Sequence, residues 1–362
     1  MTRVVGHLDL DYFYAQVEEV ENPSLKTLPV VVCVYSGRTE DSGVVSTANY
    51  RARELGVRSG IPIALAKRRL EGKDAKFIPV DHEKYEAYSE RVMEIVRGSV
   101  DVMQQTGIDE TFFDITRRSN EDYKTAHTIA TGMKLEILEH EKLTCSIGVA
   151  PNKVVAKLAS DFKKPDGLTV VLPSDLPQFT QHMPVEKLYG VGPKSAKMLK
   201  DVGISTIGDL ARKDLSTLDQ LLGQKLAVYL HNAAGGVDDE PVVENGPAKQ
   251  LSRIITLKRD SGSLEEIITQ LSPAIEDVRG RVLEEGLFFR SVSAIGILTD
   301  LSTKTRSKTL EAPTNDSLSL KRTTTELFSS LLSEGRELRR AGVRVSDLSE
   351  ATAQSSLAEF LG

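Results

Sequence analysis

"HLDLDYFYAQVEEV", residues 7–20, decides how the rest of the chain is read. An apolar strand that starts upstream at "RVVG" delivers Asp9 and Asp11 to its end, and the rings of Tyr12, Phe13 and Tyr14 lead at once into a helical pattern. The N–H groups of a helix start favour anions, so acids that give way abruptly to uncharged residues suit a phosphate-bearing substrate. Asp11 is placed to cap the helix, its short side chain accepting from an orphan N–H of the first turn.

Outward from this stretch, "LPVVVCVY" reads as a strand covered on both faces, and "GVVSTANYRARELGV" as a strand followed by a short helix that Gly56 ends. Residues 84–100 are helical, "DVMQQTGIDETFFDIT" is a hairpin, 121–142 form a long amphipathic helix, and "LTCSIGVA" is a strand followed by the helix "NKVVAKLASDF". Strands alternating with helices, some hairpin-linked, predict an α+β sheet with helices on one side. Residues 173–236 are helical, and 237–252, "VDDEPVVENGPAKQLS", read as a linker. Beyond it "RIITLKRD", "FFRSVSAIGILTDLSTKTRSKTL" and "GVRVSD" are strands, with helices near 263–285 and 316–334, making a second α+β domain; from about Ser349 the chain is polar and loose.

At 362 residues the chain is too long for one ordinary core, so two to four domains are expected. Its 40% hydrophobic content includes no long apolar run, and charge arrives at Asp9 before any signal-like segment, so neither membrane insertion nor secretion is expected. Cys33 and Cys145 lie in strand-like runs as small buried side chains of a reduced, cytoplasmic protein. A net charge of −6 argues against indiscriminate polyanion binding but leaves room for basic residues gathered on one face.

Four constellations carry chemistry. Asp9 and the pair Asp109–Glu110 converge if the hairpin lies beside the first strand, and three carboxylates in one place call for cations; hard oxygen donors suit magnesium, although an isolated "DE" is equally a solvated turn. In "TANYRARELG", Thr47, Tyr50 and Arg53 fall on a short helix, Tyr50 and Arg53 three apart on one face where phenol and guanidinium reach phosphate oxygens; a plain surface helix has the same pattern. Lys164 precedes a Pro-Asp-Gly turn in "SDFKKPDG", which holds it on a fixed loop. In "YGVGPKSAKMLKDVGI", Gly190, Gly192 and Lys194 open a helix-hairpin-helix whose backbone N–H groups can hold a phosphate, or a Gly-rich connection between packed helices. Lys304, Arg306 and Lys308 alternate along "STKTRSKTL" and share one strand face, as a DNA contact or as a charge-defended edge.

Taken together, "LDLDYFYAQVEEV", "SGRTEDSGVVSTANYRARELGVRSGIP", "GIDETFFDI", "SIGVAPNKVVAKLASDFKKPDG" and "YGVGPKSAKML" make the chain resemble the Y-family translesion DNA polymerases of the archaeal DNA polymerase IV type over nearly its whole length. The resemblance implies an α+β right-hand fold: ferredoxin-like palm from 1–12 and 79–171, small fingers 13–78, helical thumb with a helix-hairpin-helix 172–237, linker 238–247, α+β little finger 248–347, and a tail 348–362. It implies two magnesium ions, with manganese as a substitute, on Asp9, Asp109, Glu110 and the Leu10 carbonyl. Triphosphate contacts carry over to Thr47, Tyr50, Arg53, Lys164 and the backbone around Tyr12 and Phe13, while Tyr14 becomes the gate against a ribose 2′-hydroxyl. Asp11 is no metal ligand in the pattern. Template-directed, error-prone addition of deoxynucleoside triphosphates to a primer end, without proofreading, is the implied activity of a monomer acting on primer-template DNA.

Two departures stand out. Gly107 replaces the family's usual Ser, which predicts a looser hairpin, and Asp238, Asp239, Glu240 and Glu244 outnumber Lys249 in a linker that is commonly basic. In the tail, "QSSLAEFL" places Gln354, Leu357, Phe360 and Leu361 at the spacing of a sliding-clamp peptide, a helical turn that fills an apolar groove, against the alternative of a disordered terminus. Two other classes fit parts of the sequence. In a haloacid-dehalogenase phosphatase Asp9 would be the nucleophile, although Tyr12-Phe13 suits that pattern poorly, and a non-catalytic DNA-binding scaffold would use only the helix-hairpin-helix and the basic strand.

Overall fold

The computed structural model describes residues 3–333 and 335–350. In chain order, β1 (Val5–Leu10) is followed by α1 (Phe13–Glu21), β2 (Val30–Tyr35), β3 (Gly43–Ala48), α2 (Tyr50–Glu54), α3 (Ile63–Arg69), β4 (Lys76–Pro79) and α4 (His82–Ser99). The hairpin of β5 (Val102–Gln105) and β6 (Glu110–Asp114) comes next, then α5 (Tyr123–Glu141), β7 (Cys145–Ala150), α6 (Lys153–Phe162) and β8 (Leu168–Val170). A helical run has α7 (Leu176–Thr180), α8 (Pro193–Asp201), α9 (Ile207–Arg212), α10 (Leu215–Leu222) and α11 (Gln224–Ala234). The remainder is β9 (Gln250–Ser261), α12 (Leu264–Glu284), β10 (Leu287–Leu298), β11 (Thr303–Thr314), α13 (Ser317–Leu332) and β12 (Leu338–Glu350). Two compact units result. One comprises the described residues of Met1–Cys33, Val45–Gly60 and Lys67–Asn245, the other those of Val34–Val44, Ile61–Ala66 and Gly246–Gly362.

The first unit is built on a five-stranded sheet of order β5-β6-β1-β7-β8, with β1 antiparallel to both neighbours. Alternate residues of each strand point to opposite faces. Leu8, Phe113, Ile147 and Val149 meet Val92, Met93 and Val96 of α4 and Ala130, Met133 and Ile137 of α5. From the other face Val5, Phe112 and Ala150 meet Val155, Ala156 and Ala159 of α6. Helices therefore cover both faces, which corrects the expectation of one-sided cover. The reason is local: all six positions of β7 are buried, and Gly148 lets α6 lie directly on the strand. A Cβ there would stand 2.1 Å from the Ala156 carbonyl oxygen and 2.3 Å from the Ser160 nitrogen.

The outer side of α6 joins a second core, where Val154 and Leu158 pack with Leu199, Ile207, Leu218 and Leu230 of the helical run. A capping box between Thr206 and Asp209 opens α9. The acidic segment after α11 is not loose along its first half. Arg3 donates to the Asp238 and Glu240 carbonyls at 3.5 and 2.9 Å, Glu240 pairs with Lys153 at 3.1 Å, and Val242 is buried against α6.

The second unit has a four-stranded antiparallel sheet of order β11-β10-β12-β9, whose buried face packs on Leu271, Ile275 and Val278 of α12 and Leu327, Phe328 and Leu331 of α13. Arg38, from the segment Val34–Val44, donates to the Leu257 and Arg339 carbonyls at 2.7 and 3.2 Å. Among the described residues, no helix is long and apolar enough to cross a membrane.

Candidate active site

Asp9, near the end of β1, is the register partner of Glu110 at the start of β6. The Leu10 N–H donates to the Asp109 carbonyl at 2.9 Å, so the three carboxylates expected to converge do share one strand end. Between β5 and β6 the turn is closed by the N–H groups of Thr106 and Gly107, both on the Glu110 carbonyl at 3.1 and 3.2 Å, and by the Gln105 amide on the Gly107 carbonyl at 3.0 Å. A Cβ on Gly107 would approach Glu110 Cγ at 3.0 Å, so the glycine keeps the acid's own side chain uncrowded.

Asp9 and Glu110 are each already matched with a cation. Lys164 Nζ lies 2.7 Å from Asp9 Oδ1 and 2.8 Å from Asp161 Oδ1, and Lys157 Nζ lies 2.5 Å from Glu110 Oε2. Underneath, the buried His7 ring places Nδ1 2.8 Å from Ser160 Oγ and Nε2 3.5 Å from Glu110 Oε2. Burial lowers the pKa of His7 from the ordinary imidazole value, against the raising effect of Glu110. Burial pushes the Asp9 carboxyl up to about 6 despite Lys164, and burial together with the Glu110 charge raises Asp109. Glu110 goes the other way, down to about 2, because His7 and Lys157 bond its charged form. Burial alone would lower Lys164, but Asp9 and Asp161 more than offset it and hold the ammonium charged.

Among the described residues, no three His, Cys, Asp or Glu side chains form a ready metal cage. The carboxylates are neighbours, and those of Asp9 and Glu110 are turned to lysines. The donor set nevertheless fits hard divalent cations, since it consists of carboxylate and carbonyl oxygens with positive charge already seated against Asp9 and Glu110.

Asp11 does not cap α1, which corrects that expectation. Its carboxylate is buried and accepts from Thr144 Oγ1 at 2.9 Å, Ser146 Oγ at 2.8 Å and the Asp166 N–H at 2.8 Å, tying β1 to β7 and to the turn after α6. The N-cap is Tyr12, left-handed at φ 36° and ψ 43°, with no side-chain cap bond. A non-glycine residue held there costs roughly 1–3 kcal/mol, a conformation that the surroundings must enforce. Phe13 is buried in the core. Tyr14 is half-buried and stacks on Tyr85 of α4, centroids 4.1 Å apart and planes at 12°, while the Tyr85 hydroxyl donates to Glu18 at 2.6 Å. The Tyr14 ring is thus backed by a second ring that is itself anchored.

Thr47 lies on β3, one element earlier than the expected helix. Asn49 explains the boundary: its side chain accepts from the Ala52 N–H at 3.0 Å and so starts α2 only at Tyr50. Arg53 sits over the Tyr50 ring at 5.0 Å and donates to the Ala48 carbonyl at 2.8 Å. The field of Lys164, Asp9 and Asp11 reaches the Tyr50 phenol, whose pKa is raised chiefly by burial, so α2 borders the carboxylate cluster.

The remaining candidates lie elsewhere. Gly190 adopts φ +93°, where a Cβ would stand 2.9 Å from the Tyr229 ring, and Gly190, Gly192 and Lys194 are exposed ahead of and within the first turn of α8. Lys304, Arg306 and Lys308 occupy alternate positions of the edge strand β11, opposite Gly296, Ala294 and Val292. This is the helix-covered side of the sheet, and Lys308 pairs with Glu326 of α13 at 2.7 Å. Gln354, Leu357, Phe360 and Leu361 lie outside the described residues.

Reading the sequence missed Lys157, His7, Tyr85, Glu19 and Asn49. Lys157 had a signal, since it stands four residues after Lys153 on one helix face, flanked by the apolar Val154–Ala156 and Leu158–Ala159, and a cation so placed must face something charged.

The impB/mucB/samB family matches residues 8–161 and its C-terminal domain 248–357, while a DNA polymerase-iota thumb domain matches 186–238. The chain is 42% identical to the DNA polymerase IV of Nitrosopumilus maritimus, covering 99% of each. A solved Y-family DNA polymerase chimera of Dbh and Dpo4 superposes with TM-score 0.89 at 34% identity, covering 96% of this chain and 99% of that one. An insertion ternary complex of Dbh DNA polymerase has TM-score 0.71 at 34% identity over the same shares.

Proposed function

Because the chain belongs to the Y-family of DNA polymerases, of the archaeal DNA polymerase IV type, we infer that its strand-end carboxylates serve template-directed transfer of deoxynucleotides to a primer 3′ end. It is a DNA-directed DNA polymerase of the translesion kind, a nucleotidyltransferase dependent on divalent metal. The observation that carries the site assignment is the pairing of Asp9 with Glu110 beside Asp109. In our reading Asp9, Asp109, Glu110 and the Leu10 carbonyl hold two magnesium ions, for which manganese can substitute. When bound, such ions polarise the attacking hydroxyl and offset charge on the transferred phosphoryl and departing pyrophosphate oxygens.

The chain's own residues do the rest. Arg53 and Tyr50, stacked on each other, and Thr47 at the end of β3 form one wall for the triphosphate, and the N–H groups at the start of α1 form the floor. Lys164 exchanges Asp9 for a phosphate oxygen, which frees the carboxylate for a cation. Tyr14, braced by Tyr85, occupies the space that a ribose 2′-hydroxyl needs.

We assign palm, fingers, thumb, linker and little finger to the boundaries set out above, with primer-template DNA held in part by the N–H groups of the glycine loop before α8. The acidic linker segment engages Arg3 and Lys153 rather than DNA, in keeping with weak, distributive binding. The protein acts as a monomer, and its tail peptide engages a sliding clamp.

Primer extension with magnesium tests the activity. Elongation is expected. Phosphate release from small esters without elongation would instead indicate the phosphatase chemistry, and DNA binding alone a scaffold.

A further inference from the structure

Glu19, on the inner side of α1, is buried, with 6% of its surface exposed, and its two oxygens serve two different elements. Oε2 accepts from the Tyr12 hydroxyl at 3.0 Å, and Oε1 accepts from Asn49 Nδ2 at 2.8 Å. Tyr12 is the left-handed residue that joins the metal strand to α1. Asn49 is the N-cap of α2, where its Oδ1 accepts from the Val30 and Ala52 N–H groups, each at 3.0 Å, and its Nδ2 also reaches the Leu28 carbonyl at 2.8 Å. One buried carboxylate therefore bridges the turn beside the catalytic acids and the first residue before Tyr50 and Arg53. The Tyr12 and Tyr50 rings meet edge to face, centroids 5.2 Å apart, directly across this bridge. A buried charge is costly unless it is hydrogen-bonded, and an apolar side chain would pack α1 without that cost. What the carboxylate adds is a fixed distance between two walls.

We propose that Glu19 is a positioning residue for the incoming nucleotide, setting the left-handed Tyr12 turn and the start of α2 in one frame so that the triphosphate meets Arg53 and Tyr50 in register with the metal-binding strand end. This rests on the reading of Arg53 and Tyr50 as triphosphate contacts. Glu19 touches no substrate. Its effect passes through Tyr12 and Asn49, and it concerns the nucleotide rather than the primer-template.

The experiment is steady-state single-nucleotide insertion, with primer-template affinity and thermal unfolding measured alongside. Glu19→Gln keeps the shape but turns an amide toward one of its two donors, and should raise KM for the deoxynucleotide about tenfold, the worth of one charge-assisted hydrogen bond. kcat should change less, and DNA affinity should stay as in the wild type. Combining Glu19→Gln with Asn49→Asp lets the new amide nitrogen donate to the new carboxylate while the amide oxygen still accepts from Tyr12, at the cost of the bond that Asn49 gives the Leu28 carbonyl. The double variant should bind nucleotide better than Asn49→Asp alone, which sets acid against acid while losing the same Leu28 bond. Arg53→Ala is the control for the underlying reading. If it raises the nucleotide KM while Glu19→Gln does not, the positioning role is wrong and the wall stands. If Arg53→Ala leaves KM unchanged, the wall itself is wrong and the proposal falls with it. A Glu19→Gln variant that loses thermal stability and all kinetic parameters together, with no gain in the double variant over Asn49→Asp alone, would reduce Glu19 to a packing residue and overturn the proposal.

Discussion

Asp9 and Glu110 face one another across β1 and β6 as register partners, and each is held by a different lysine of one segment, Lys164 at 2.7 Å and Lys157 at 2.5 Å. Acids this close repel, and the paired lysines compensate for that repulsion. The same arrangement predicts that the acids can be removed without loss of the fold. Asp109→Ala and Glu110→Ala should each lower primer extension by roughly a thousandfold or more, since a lost metal ligand forfeits several kcal/mol of charge stabilisation, while DNA affinity persists. Near wild-type extension by either variant in a magnesium-supported assay would remove the metal-site assignment.

Tyr14→Ala takes away a ring that is backed by Tyr85 but leaves Asp9 and Leu10 in place. The variant should still extend with deoxynucleotides and should gain ribonucleotide insertion by about an order of magnitude, because overlap costs of about 1–3 kcal/mol are relieved. The ratio of insertion efficiencies for the two sugars is the readout. An unchanged ratio in an active variant assigns the gate elsewhere.

Asp9 supplies a pH signature in metal-free protein. Its carboxyl is raised from 3.8 to about 6 by burial, so the folded chain holds that proton more tightly than the unfolded chain. The associated stability is complete below about pH 4 and disappears as pH rises through 6, worth at most roughly 3 kcal/mol. Glu110, lowered from 4.5 to about 2, contributes in the opposite sense and loses its stabilisation progressively as pH falls from about 4.5 to 2, at and below the lower edge of this window. Denaturant titrations should show the stability difference between Asp9→Asn and wild type moving in favour of the variant between about pH 4 and 7, and a divalent cation should close it near neutrality by favouring the charged acid. A difference that stays flat with pH contradicts the raised pKa.

Asp11 is expected to act on stability alone. Removing a buried acceptor of three hydrogen bonds strands the Ser146 hydroxyl and the Asp166 N–H and leaves the Thr144 hydroxyl only its 3.1 Å bond to Gln16, so Asp11→Ala should destabilise by about 3 kcal/mol. Chemical denaturation measures this, and insertion kinetics at low temperature should stay close to wild type. Loss of activity with full stability would make Asp11 a ligand instead.

For the tail, deleting residues 353–362 should abolish capture by an archaeal sliding clamp while leaving distributive extension intact. Undiminished capture would dispose of the clamp peptide.

Much of this site could be read from the chain because its acids lie at element ends. The strand period brings Asp9 to a strand terminus, the "GIDET" turn sets Asp109 and Glu110 beside it, and antiparallel pairing does the rest. Asp11 was misread because capping logic looks only forward along the chain, whereas its partners come from 133 to 155 residues away. Thr47 was placed on the wrong element because the boundary belongs to Asn49, whose cap bond is invisible to periodicity. Cover on both sheet faces was missed because it hinges on a missing Cβ at Gly148, and a glycine inside a strand pattern does not announce what lies upon it. The three β11 cations do share a face as expected, but strand alternation alone cannot say that the face is the one beside α13.

The seat of α6 on Gly148 also bears on where this protein can change in length. Ala156 and Ser160 rest against that glycine, and the same helix carries Lys157 to Glu110 and Asp161 to Lys164, so the phase of the helix and the chemistry of the acids are set together. One residue inserted or deleted between Gly148 and Lys157 would turn α6 by about 100° and swing the lysine away from its acid. The outer face of α6 is no freer, since Val154 and Leu158 pack into the second core, so the stretch is closed to insertions, and affinity tags, circular-permutation joints and reporter grafts belong elsewhere on the chain.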